Sequence, residues 1–188
     1  MKCRAILLSI ALACGGTACS TAEESQPVCS RHEASILVLE AQSVPSATYL
    51  PCIAELPIGW QFGGSQIRDD GTTLWLDHDR AGFHAVEVVL APRCDVAAAV
   101  QVPPAPDEVG MQTYQQPESL DPFVGTRSLL FPGGCIEYRY RFSEGSASAL
   151  VIEADRALSS VPRTAVVARV RRDLDLSLCG AGATKCAG

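Results

Sequence analysis

The clearest pattern in the chain lies between Cys135 and Phe142, where Ile136, Tyr138, Tyr140 and Phe142 alternate with Glu137, Arg139 and Arg141. Period-two alternation predicts a strand with one face in a core and the other in water. The same signature recurs upstream. Trp60 to Arg68 reads as a strand, Asp69-Asp70-Gly71 as a tight turn, Thr72 to Asp77 as its partner, and Asp79-Arg80-Ala81-Gly82 as the next turn into Phe83 to Leu90. Strands joined by such short turns predict an antiparallel meander. Met111 to Gln115 and Thr126 to Phe131 read as weaker strands, separated by the Pro-rich loops 102–110 and 117–125. Trp60, Phe62 and Trp75 are expected to pack within the sheet, where aromatic residues are enriched.

The periodicity changes once, near the C-terminus. Ser160 is placed to cap a helix entered through Pro162, with Val166, Val170 and Leu174 at four-residue spacing. Arg169, Arg171 and Arg172 gather toward its C-terminal end, where the helix dipole favours cations. A short strand, Asp175 to Leu178, is expected to follow. The economical architecture is α+β: a mostly antiparallel meander sheet with one C-terminal amphipathic helix packed across a face.

The N-terminus adds an address. Lys2 and Arg4 lead into the apolar run Ala5 to Ala13, and small residues then precede Cys19, which is the grammar of a secretory leader. A cysteine at the cleavage point resembles the lipidation site of a bacterial lipoprotein. Cys14 is the competing anchor. Lipidation at Cys19 leaves six downstream cysteines (Cys29, Cys52, Cys94, Cys135, Cys179 and Cys186), whereas Cys14 leaves an orphan thiol, so parity favours Cys19. The alternative is an ordinary leader cut after Ala18, giving a secreted protein in which Cys19 joins the disulfides. Residues 1–18 are thus read as signal peptide, the polar stretch 19–34, with His32, as a tether, and 35–188 as a single domain. No later stretch approaches the roughly 20 apolar residues of a membrane span.

Six cysteines permit fifteen pairings. Sequence order suggests Cys29 with Cys52, Cys94 with Cys135, and Cys179 with Cys186. A zinc site would want C-x-x-C spacing and reduced thiols, and neither is expected in an exported chain. The formal charge is −6, and losing the leader removes two cations and no acid. So acidic a domain is a poor nucleic-acid binder.

Two side-chain groups carry candidate chemistry. Asp77-His78-Asp79 with His84 straddles the hairpin turn, so His78 and His84 would face each other with carboxylates to orient an imidazole or complete a metal shell. Ordinary turn chemistry accounts for the same acids and is the preferred reading. Arg80, Arg127, Arg139 and Arg141, with Tyr114 nearby, form the second group, because guanidiniums on one sheet face hold a carboxylate or phosphate bidentately. Glu87 and Glu137 supply the plainer account of cross-strand ion pairs. There is no G-x-S-x-G, S-x-x-K or H-E-x-x-H motif, and no catalytic residue is assigned.

Val44-Pro45-Ser46-Ala47, Leu50-Pro51-Cys52, Leu56-Pro57-Ile58-Gly59-Trp60, Asp79-Arg80-Ala81-Gly82, Cys94-Asp95 and Phe131-Pro132-Gly133-Gly134-Cys135 together resemble a group of uncharacterised exported proteins of GC-rich bacteria. The resemblance implies one exported domain in which the cysteines recur with these motifs, and it brings no known activity. The expected function is therefore a lipid-anchored, extracytoplasmic, non-enzymatic binding domain without cofactor, meeting another envelope protein or a small anionic ligand. An extracytoplasmic metal-dependent hydrolase using Asp77, His78, Asp79 and His84 is the alternative, and a purely structural spacer a third.

Overall fold

The computed structural model of the protein describes residues 26–29, 35–143 and 147–181. Cys14, Cys19, His32 and Cys186 lie outside them. In chain order the elements are α1 (Ser35–Ser43), β1 (Tyr49–Ile53), β2 (Trp60–Arg68), β3 (Gly71–His78), β4 (Gly82–Ala91), β5 (Val100–Val102), β6 (Gln112–Leu120), β7 (Phe123–Phe131), β8 (Gly134–Phe142), α2 (Ala147–Ala157), β9 (Leu158–Pro162) and α3 (Arg163–Leu174).

A seven-stranded antiparallel sheet, in the order β2-β3-β4-β8-β7-β6-β5, forms the body of the protein. Antiparallel partners share a face, so the register sorts side chains into two layers. One cross-strand row reads Leu76, Val86, Tyr140; the next reads Leu74, Val88, Tyr138; a third reads Thr72, Leu90, Ile136, Leu129. These residues are buried, and all but Thr72 belong to one hydrophobic core with Leu37, Ala41, Leu150, Ala154, Val166 and Val170 of the helices. The opposite face carries Trp75, Glu87, Arg139 and Thr126 in a row and remains open. The meander and the Tyr-rich strand thus form as the alternation dictates.

Beside the sheet, β1 and β9 pair as a two-stranded ladder in which Ser160 lies opposite Pro51. That pairing takes Ser160 away from the cap it was expected to make; Pro162 occupies the N-cap position of α3. Val166 and Val170 are buried as expected, but Leu174 is exposed. Four residues of α-helix turn through about 400°, so a strict four-residue repeat drifts by about 40° per step and leaves the core by its third member. The strand expected over Asp175 to Leu178 does not form.

Two helices were not apparent in the pattern. The buried stripe of α1, Leu37, Glu40 and Ala41, continued by Val44 just past its end, has helical spacing, but Glu40 interrupts its polarity and the exposed side carries Leu39. In α2 the buried positions Leu150, Ala154 and Ala157 are mostly alanine and give little contrast. Likewise, 117–125 is not an open loop: β6 and β7 remain paired through Leu120 and Phe123.

Two expected disulfides are formed, Cys29–Cys52 and Cys94–Cys135. The first attaches part of the stretch read as tether, because the Cys29 amide donates to Ile53 and the Ile53 amide to Pro27. Cys179 is also disulfide-bonded. Disulfides of this kind belong to an oxidising, extracytoplasmic environment. Among the described residues no helix is long and apolar enough to cross a membrane.

Candidate functional site on the open face of the sheet

The histidines of the hairpin part company. His78 lies opposite Trp60 in the β2–β3 ladder and is buried, its ring centroid 4.7 Å from that of Trp60. Its Nδ1 accepts the backbone N–H groups of Arg80 (3.1 Å) and Ala81 (3.0 Å), and its Nε2 lies 3.9 Å from Glu153 Oε2. The lone pair a metal or proton shuttle would need is therefore spent on closing the turn. Glu153 in addition accepts the Trp60 indole N–H at 3.0 Å, tying α2 to the sheet.

His84 turns the other way. Regular alternation would place it with Val86 and Val88 on the covered face, but its φ of 51° is left-handed and breaks that alternation. Its imidazole stacks on Trp75 (centroids 5.0 Å, interplanar angle 16°) and on Phe83 (3.9 Å, 25°). The buried Asp77 holds this geometry by accepting the His84 backbone N–H on Oδ1 at 2.7 Å. Gly63 makes room for it, since a Cβ there would sit against the Asp77 carboxylate. Asp79 and Arg80 are exposed at the turn. Among the described residues no three His, Cys, Asp or Glu side chains converge on a common metal position.

The arginines also divide by face. Arg127 lies opposite Tyr138, on the covered side. Its guanidinium meets Glu108 at 2.5 Å and Asp155 at 3.0 Å, and its side chain is only 12 % exposed. Burial works to lower its pKa, but Asp155 and Glu108 outweigh that and the pKa rises. Glu108 is anchored by the Ala105 amide and the Thr113 hydroxyl, both at 2.8 Å, and Asp155 accepts the Tyr140 hydroxyl at 2.7 Å. Burial pushes the Tyr138 and Tyr140 phenols well up, with Asp155 adding to the effect at Tyr140, whose hydroxyl is the donor. This network joins loop 103–110, the sheet and α2. The spacing Arg127, Leu129, Phe131 along β7 was the available signal, because it places Arg127 in an apolar register.

Arg139 and Arg141 remain on the open face. Arg139 is clasped by Glu137 (2.6 Å) and, more loosely, by Glu87 (3.5 Å). Arg141 forms no ion pair among the described residues. Around them lies a cleft of about 380 Å³, bordered by Trp75 and His84 at one end and by Gln116 and Thr126 at the other. Glu118 and Asp95 add two carboxylates to its walls. The aromatic rim was missed in the sequence because it depends on one backbone dihedral, at His84.

No family model, curated protein or solved structure matches the chain.

Proposed function

We propose that the protein is a lipid-anchored, extracytoplasmic binding domain without catalytic activity, and that the open face of its sheet is the surface that meets its ligand or envelope partner. The observation that carries this reading is the cleft on that face, bounded by the Trp75–His84 stack and built beside a non-glycine residue in a left-handed conformation. Such a conformation costs on the order of 1–3 kcal/mol and clusters at sites where a ligand is clamped. The solvent face of a sheet does not need it. The leader and Cys19 support the anchor, and the disulfides agree with the compartment.

A hydrolase built on Asp77, His78, Asp79 and His84 gains no support, because His78 and His84 lie on opposite sides of the sheet and His78 Nδ1 is engaged by the turn. The experiment is site-specific photo-cross-linking in the native envelope, with the reactive residue at Thr126 in the cleft or at Arg172 on α3. Adducts from position 126 that are absent from 172 are expected. Equal labelling, or none from 126, refutes the reading. The intact mass of the membrane-extracted protein tests the anchor: a lipid-bearing Cys19 is expected, and an unmodified Cys19 overturns it.

A further inference from the structure

We infer that the cleft takes a primary ammonium group, seated between the Glu87 carboxylate and the Trp75–His84 stack. The inference rests on the open face being the binding surface and names the chemistry of what binds there.

Glu87 and Trp75 are direct cross-strand partners, so a carboxylate and an indole ring are neighbours on the open layer. An ammonium placed there gains a charge-assisted hydrogen bond and the attraction of the ring quadrupole together. Glu87 is available for this, since its contact with Arg139 is 3.5 Å whereas Arg139 holds Glu137 at 2.6 Å. The same clasp removes Arg139 as an anion receptor. Among the described residues Arg141 is then the guanidinium of the lining without an ion pair, against the carboxylates of Glu118 and Asp95 in addition to Glu87. A phosphate or carboxylate entering the cleft meets net repulsion, and the acidic chain as a whole adds to it. The expectation of a small anionic ligand on an arginine face thus gives way once Arg127 is on the covered side and Arg139 is clasped.

The aromatic half of the seat is preset. His84 is held left-handed by Asp77, and its ring is fixed between Trp75 and Phe83, the latter 76 % exposed. The rings therefore need not reorganise to receive a cation, which removes an ordering cost from binding.

The chain has two tryptophans, and Trp60 packs on the covered face. In the Trp60→Phe protein Trp75 alone reports on the cleft. Titration with butylammonium is expected to give a saturable change in Trp75 emission, weakened at least about tenfold by Glu87→Gln and reduced by added salt. Inorganic phosphate and glycerol are expected to give none. Saturation by phosphate without butylammonium, or an ammonium response indifferent to Glu87→Gln, overturns the inference. If Trp60→Phe fails to fold, the two indole N–H resonances of the unaltered protein, assigned through Trp75→Phe, give the same readout. A blocked lysine tripeptide that binds more tightly than butylammonium assigns the ammonium to a protein partner, and equal binding assigns it to a free amine. Cross-linking from Thr126 that persists without any ammonium response removes the ligand class alone. Loss of both removes the binding-face reading as well.

Discussion

Glu40 offers the sharpest test of the fold. It sits in the middle of the buried stripe of α1, 0 % exposed, and neither carboxylate oxygen has a hydrogen-bond partner. The Ser43 hydroxyl close by donates to the Glu40 backbone carbonyl at 2.8 Å and is within 2.8 Å of the Thr72 hydroxyl. Arg163 of α3 is buried and gives Nη1 to the Ala41 carbonyl at 2.7 Å and Nη2 to the Cys179 carbonyl, and among the described residues Glu40 forms no ion pair. Burial therefore raises the Glu40 pKa well above the usual carboxylate range, so the folded protein holds this proton to a higher pH than the unfolded chain does.

The sign follows from linkage. Below the ordinary carboxylate pKa, folded and unfolded states are both protonated and Glu40 imposes no pH-dependent cost. Above it the unfolded chain ionises first, and stability falls by about 1.4 kcal/mol per pH unit until the folded carboxyl itself ionises. Glu40→Gln keeps shape and polarity but cannot ionise. Its advantage over the unaltered protein is therefore expected to be near zero at pH 4 and to grow by up to about 1.4 kcal/mol for each unit above about pH 4.5. At one such unit this corresponds to a rise in Tm of roughly 3–6 °C for a domain of this size. Urea denaturation at pH 4, 5, 6 and 7 measures the difference. A Glu40→Gln effect that is constant across this range, or that destabilises increasingly as pH rises, refutes the burial argument.

Two further predictions separate structural groups from those free to bind. Arg127→Ala leaves Glu108 and Asp155 without their buried cation and is expected to cost about 3–5 kcal/mol, whereas Arg139→Ala at the half-exposed Glu87–Glu137 clasp is expected to cost about 0–1 kcal/mol; chemical denaturation of both variants decides, and equal losses would contradict the division of the arginines by face. His78→Ala orphans two turn amides and is expected to lose about 1–3 kcal/mol, while chelation with EDTA leaves Tm unchanged; a Tm drop on chelation that His78→Ala abolishes would restore a metal to the hairpin.

Much of the sheet was legible because a strand's burial is local information. Ile136, Tyr138, Tyr140 and Phe142 advertise one face, and Asp69-Asp70-Gly71 marks the turn between β2 and β3. Disulfide order was legible for the pairs Cys29–Cys52 and Cys94–Cys135, which join stretches that the strand order brings together. The helix α1 was not, since Glu40 breaks the contrast of its buried stripe, and α2 was not, since alanines at Ala154 and Ala157 carry little hydrophobic signal. The candidate site was legible only as a set of residues. Its members were mis-assembled, because a run of arginines and histidines does not say which side of a sheet each one takes.

The sequence by itself determined the alternation that builds the antiparallel sheet, the acidic charge and the cysteines that pair, since each is a property of neighbouring residues or of composition. Tertiary structure alone decided that Arg127 is a buried strut and Arg139 an open-face clasp, through the register of β7 against β8. It likewise decided that His84, and not His78, looks onto the cleft. The physical reason is that a side chain's face depends on pairing register and on single dihedrals such as φ at His84, and these are fixed by contacts between residues distant in the chain.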